Sequence, residues 1–322
     1  MRSANSAVAV VALALAACGN YSNEDIRFYE AVPTRQMLRV QVPAPAAQPG
    51  ALSACTPGYG SADVWLWAKP TGDGLNNAID FILGLVDLVR RYPPTTRTAD
   101  SRTWGPFDDK HAGREDRVTI TRRDQGCVPG GPVCWVFVLA ARVKGQGAFQ
   151  PILEAQFQGA SAGQGDGSLA IHFDTIWALG MNDPPDPQKP GDTGTPHGEM
   201  GIAYSRSGDP RTTELSFQQP GFSLPQFDYA WQGWADGHGR FVYRLIDANG
   251  NVLTIDARYD DAGRGRADVT VLTPGGFTAG FSECWNQAAC VQWVDDPFNF
   301  TNICGPLPVS CVLGSVTSCA VP

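Results

Sequence analysis

Arg240-Phe-Val-Tyr-Arg-Leu-Ile-Asp-Ala-Asn-Gly-Asn-Val-Leu-Thr-Ile-Asp-Ala-Arg-Tyr259 reads as two strands, 240–247 and 252–259, hinged at Asn249-Gly250. Both residues of an Asn-Gly pair tolerate positive φ, and the resulting turn matches the twist of the strands it joins, so this is a strong hairpin signal. The same grammar extends outward in both directions. Further strands are expected over 117–124, 134–144, 149–158, 168–179, 199–205, 213–218, 226–234, 267–272 and 277–285. Turn chemistry separates them at Gly145-Gln-Gly147, Ser207-Gly-Asp-Pro210, Asp236-Gly-His-Gly239 and Pro274-Gly-Gly276. Parallel neighbours need crossover connections, usually helical, and no such pattern lies between these strands. The expected fold is therefore mainly β: a long antiparallel meander of eleven or twelve strands, curved into a half-barrel or packed as a sandwich.

The strand faces refine this. Gln226–Trp234 alternates Phe227, Tyr229 and Trp231 with Asp228, Ala230 and Gln232, as a strand buried on one side does. Cys134–Lys144 is apolar on both sides, with Trp135, Phe137 and Leu139 opposed by Val136, Val138 and Ala140. Upstream, Asp63–Lys69 reads as a first strand. Leu75–Arg91 reads as one amphipathic helix packed on the sheet, capped by Asp73 and stopped by Pro93-Pro94. The polar stretch 94–115 reads as an excursion, and a short helix is expected over Glu24–Ala31.

Location is read from the other end of the chain. A single charge, Arg2, precedes an apolar run from Ala7 to Leu15, too short for a lasting span of about 20 residues. It ends at Leu15-Ala-Ala-Cys18, which matches the bacterial lipobox. The chain in this respect resembles bacterial envelope lipoproteins, and the resemblance implies cleavage before Cys18 and acylation of that residue. Gly19-Asn20 carries no aspartate beside the cysteine, which favours the outer membrane over retention at the inner one. The expected organisation is a signal peptide over 1–17, a lipidated Pro/Ala-rich tether over 18–60, a β domain over 61–285 and a Cys-rich tail over 286–322.

A net charge of −8 argues against nucleic acid as a partner. The membrane is instead reached through the lipid. Of nine cysteines, eight remain after Cys18, an even number in an oxidising compartment, so disulfides are expected. Cys127 and Cys134 flank a turn and form the simplest pair; Cys284 with Cys290 is suggested by proximity. Cys55, Cys304, Cys311 and Cys319 would pair among themselves in any of three ways. With no Cys-x-x-Cys and four scattered histidines, no metal site and no cofactor is expected.

In order of elements, 60–285 is similar to the lipoprotein-carrier half-barrels of the bacterial envelope, which hold acyl chains in an apolar concavity. That resemblance implies a non-catalytic protein carrying an apolar ligand, with Trp135, Phe137, Phe173 and Trp177 as candidate contacts. The alternative is a structural module meeting another envelope protein; a hydrolase comes third. Gly159-Ala-Ser161-Ala-Gly163 has the spacing of a nucleophile elbow but stands between strands, whereas that chemistry needs a strand-to-helix turn. Asp247-Ala-Asn-Gly-Asn251 lacks the spacing and closing Glu of a calcium loop and reads as a hairpin turn. His172 and Asp174, two apart on an expected strand, would share a face.

Overall fold

The computed structural model describes residues 22–31, 55, 61–62, 64, 76, 92–109, 113–127, 131–159, 165–184, 195–221, 225–298 and 311–314. Fifteen strands form one open antiparallel sheet in unbroken sequence order. They are β1 Thr96–Arg97, β2 Ser101–Asp108, β3 Arg114–Arg123, β4 Cys134–Val143, β5 Gln150–Gly159, β6 Gly165–His172, β7 Glu199–Ser205, β8 Arg211–Gln218, β9 Gln226–Gly233, β10 Gly239–Ile246, β11 Val252–Tyr259, β12 Gly265–Leu272, β13 Thr278–Trp285, β14 Val291–Asp296 and β15 Cys311–Gly314. One continuous, unclosed sheet fits the curved half-barrel of the two expected alternatives.

From β9 onward the meander is periodic. Five consecutive turns begin thirteen residues apart, at Trp234, Asp247, Asp260, Thr273 and Asn286, and each closes with the first residue's N–H donating to the fifth residue's carbonyl at 3.0 Å. The fourth residue of every turn adopts positive φ: Gly237, Gly250, Gly263 and Gly276 at 80–92°, then Ala289 at 59°. Glycine suits this position because it has no Cβ to meet the preceding carbonyl. Gly250→Ala is expected to cost about 1–2 kcal/mol, read as a lower urea midpoint at unchanged slope. Eight-residue strands and five-residue turns keep the same face inward at every step, which holds the register of the whole half-sheet.

That inward face is the core. Phe137, Leu153, Ile171, Ile202, Leu215, Tyr229, Phe241, Ile255, Val269 and Phe281 form one buried cluster running across β4–β13, joined by Phe28, Ala62 and Val64 from upstream. Aromatic rings at strand ends lie against glycines on the preceding strand. A Cβ on Gly239 would come within 2.3 Å of the Tyr259 ring, and one on Gly265 within 2.1 Å of the Trp285 ring. These glycines are the mould into which the rings fit.

Upstream of the sheet, α1 (Asn23–Glu30) starts in a capping box in which Ser22 and Asp25 exchange backbone and side-chain hydrogen bonds. It is docked on the first strands. Asp25 and Arg102 are both buried and meet at 2.5 Å; the Arg102 guanidinium lies 4.5 Å over the Phe28 ring. Phe28 packs edge-on against Trp135 at 4.9 Å. Residues 22–31 are thus part of the body, which shortens the tether expected over 18–60.

Several expectations are corrected. The excursion at 94–115 contains β1 and β2; Gly105-Pro106 looks like a breaker but sits at a register shift between Trp104 and Phe107. The strand expected over 168–179 ends at His172 and continues as α2 (Phe173–Ala178). The stretch 286–322 contributes β14 and β15 to the sheet. Val64 is helical, inside the first expected strand. The helix expected over Leu75–Arg91 lies outside the described residues apart from Asn76, which is helical.

Candidate binding trough

On the face opposite the core, two rows of side chains cross the sheet from β4 to β10. One runs Glu154, Ala170, Gly201, Ser216, Asp228, Arg244, each directly paired with the next. The other runs Val136, Gln156, Ser168, Ala203, Glu214, Ala230, Val242. Apart from Glu214, the middle of both rows is made of small residues, and the larger flanking side chains leave a hollow of about 760 Å³ between them. At about 4.8 Å per strand, seven strands give a trough roughly 29 Å long. Ala170, Gly201, Ala203 and Ala230 supply an apolar floor, and Ser168 and Ser216 add hydroxyls to it.

Asp228 and Glu154 along it are held by neighbouring side chains. Asp228 accepts from Ser216 Oγ at 2.9 Å, from Gln226 Nε2 at 2.7 Å and from Arg244 at 3.2 Å. His172 stands between two carboxylates, Glu154 at 3.1 Å and Glu199 at 3.2 Å. Farther along the same face Asp268 is held below the usual carboxylate range: burial alone would raise it, and the Arg266 and Ser282 hydrogen bonds outweigh that.

The sequence-based candidates fall elsewhere. Trp135 and Phe137 sit on the core face of β4, where Phe137 is fully buried. Val136 between them points the other way and lines the trough. Phe173 and Trp177 belong to α2: Phe173 meets Phe217 edge-on at 5.8 Å, and Trp177 stacks on His197 at 4.2 Å and donates to the Pro196 carbonyl at 2.9 Å. The structure thus separates the four into a strand pair and a helix pair, with none bordering the trough. Nor do His172 and Asp174 act together; the Asp174 carboxylate accepts from the Gly198 N–H at 2.9 Å and meets His197 at 3.3 Å, which holds it below its ordinary value. Asp247 is absorbed by its own turn, accepting from the N–H groups of Asn249 and Asn251 and from Asn251 Nδ2. Ser161 lies outside the described residues.

Cys127–Cys134 clasps the β3–β4 hairpin as expected, and Cys55–Cys290 joins residues 235 apart with Cα atoms at 5.4 Å. The pairing of Cys284 with Cys290 is therefore corrected. Proximity in sequence is a poor guide here because Cys290 faces the upstream strap, where Ser61 bridges to it. Cys284 is itself disulfide-bonded. Cys311 opens β15; Cys18, Cys304 and Cys319 lie outside the described residues. Among the described residues no group of three or more His, Cys, Asp or Glu is placed to hold a metal ion, and no helix is long and apolar enough to cross a membrane. Comparison with protein-family models, with curated proteins and with solved structures finds no match to the chain.

Proposed function

We propose that the protein is a non-catalytic, lipid-anchored lipoprotein of the cell envelope, sorted to the outer membrane, whose sheet cradles an elongated apolar ligand such as an acyl chain along the trough. The anchor rests on Leu15-Ala-Ala-Cys18 and the oxidising compartment on the disulfides. The ligand reading is carried by one observation: a floor of small residues, Ala170, Gly201, Ala203, Ser216 and Ala230, running across β6–β9 beside Glu214, in a hollow of ligand size. The apolar face that would serve a lipid carrier is occupied by its own packed rings, so the ligand meets the other face.

Gly201 makes the reading testable without harming the fold. A Cβ there meets only the Ser216 carbonyl, at 4.0 Å, and no positive φ restricts it. Gly201→Val is expected to leave stability unchanged or raise it by about 0.5 kcal/mol, since glycine is a poor strand interior residue, while lowering palmitate affinity at least about tenfold. Native mass spectrometry of the full chain titrated with palmitate reads both arms. Absence of uptake by the unmodified protein contradicts the proposal, as does equal uptake by the variant.

A second reading, a docking module for another envelope protein, is favoured by the exposed Phe277 and Phe298, whose rings meet at 6.0 Å beside the β12–β13 turn. Crosslinking in cells that recovers one stoichiometric partner through these rings would select it.

A further inference from the structure

Three features of the N-terminal region converge on one edge of the sheet. First, only residues 19–22 separate Cys18 from the start of α1, a reach of roughly 14 Å when fully extended. Second, α1 does not swing on that link. Asp25 is buried and gripped by Arg102 at 2.5 Å and Arg97 at 3.2 Å, and Arg102 also donates to the Thr98 and Ser101 carbonyls. Third, large apolar side chains are exposed at this place. Ile26 lies one turn from Tyr29 on α1; Tyr29 donates to the Tyr92 carbonyl, and the Tyr92 ring meets Phe107 at 6.0 Å. Ile26 is 45% exposed, Tyr92 52% and Phe107 37%.

We infer that the α1–β2 edge rests on the membrane: Ile26, Tyr92 and Phe107 contact the lipid headgroup region, so the body is moored flush instead of hanging from a flexible leash. The inference deepens the lipoprotein reading above and rests on acylation of Cys18. Amphipathic aromatics are favoured at a bilayer's interface, where one end of the side chain is apolar and the other wet. The chain carries a net charge of −8, one unit more negative once Arg2 is cleaved away, and would be repelled from anionic lipid at long range. The anchor removes that barrier by fixing the edge within reach, and the contact itself is made by uncharged side chains. A moored edge also leaves the trough on the solvent face of β4–β10 at a defined orientation to the bilayer.

The test uses the full acylated chain in vesicles of phosphatidylethanolamine and phosphatidylglycerol doped with a lipid carrying a headgroup diazirine. After illumination, lipid adducts are mapped by peptide mass spectrometry. Adducts on residues 22–31 and 92–107 should exceed those on the turns 247–251 and 273–277 by about tenfold, the ratio set by about 1.4 kcal/mol of preference. A Tyr92→Asp/Phe107→Asp variant should lose that excess while remaining vesicle-bound; the bonds made at Tyr92 use its backbone carbonyl, so the edge stays folded. Vesicle-bound protein with evenly spread adducts, or with adducts concentrated at Phe277 and Phe298, overturns the mooring and leaves the anchor standing. Protein that fails to sediment with vesicles overturns both.

Discussion

Replacing Cys55 and Cys290 with serine is expected to lower the unfolding free energy by about 5 kcal/mol, more than any single side-chain deletion on the sheet surface. The reason is chain entropy. A crosslink between residues 235 apart closes a very long loop and restricts the unfolded chain accordingly. The Cys127–Cys134 bridge, seven residues apart, closes a short one, and its removal should cost about half as much. The long bridge also supports native contacts: it fastens the upstream strap where Ala62 donates to the Ala289 carbonyl at 2.9 Å. Next to it the buried Glu283 accepts from the Val64 N–H at 2.6 Å. Because domains of this kind are stable by only about 5–15 kcal/mol, the Cys55–Cys290 variant should unfold at a much lower urea concentration, with the Cys127–Cys134 variant between it and the unmodified protein. The reverse order would contradict this account of the two bridges.

The second large effect is expected at Asp25. Asp25→Ala removes the buried partner of Arg102, itself 2% exposed, and leaves it only the exposed Glu24 carboxylate at 3.1 Å, at a cost of about 3 kcal/mol. Asp25→Ala combined with Arg102→Met should recover most of that loss, since an apolar pair of similar size removes the stranded charge and still covers Phe28. The same pair has a pH signature. Burial would raise the Asp25 carboxyl, but the Ser22 N–H and the guanidinium groups of Arg102 and Arg97 outweigh it and hold the folded-state value below the ordinary 3.8. A carboxyl depressed by folding contributes stability that is full above its unfolded pKa and fades as the pH falls through its folded one. Acid titration of thermal stability should therefore show a loss beginning below about pH 4 that is smaller in the double variant, which keeps the other depressed carboxylates such as Asp268. Equal acid sensitivity of the two proteins would count against the role given to Asp25.

How far the sequence revealed this architecture depended on local grammar. The hairpins from β9 to β13 were legible because strict alternation and glycine turns coincide there. The thirteen-residue repeat behind them is hidden in the sequence because the turn sequences share little beyond the glycine at the fourth position. Where that glycine gives way to Ala289, the repeat continues into β14, yet Asn286-Gln-Ala-Ala-Cys290 reads as the start of a tail. Trp104 sits between polar neighbours and a Gly-Pro pair, so β2 carries no alternation to read. Phe173, Ile176 and Trp177 continue an apolar run from β6, and α2 has no side-chain cap to announce it. The trough was illegible for a deeper reason. Small residues on a solvent face, such as Ala170, Gly201 and Ala203, are individually unremarkable. Only the register of seven strands lines them up. Aromatic residues are an ambiguous signal because rings dominate cores and sites alike; here they make the core.

The most direct test is the mass of the N-terminal peptide recovered from the membrane fraction of cells expressing the full chain. The account predicts a peptide that begins at Cys18 and carries the added mass of fatty acyl groups on that residue. A peptide that still contains Met1–Ala17, or one that begins at Cys18 with its thiol and amine unmodified, would contradict it.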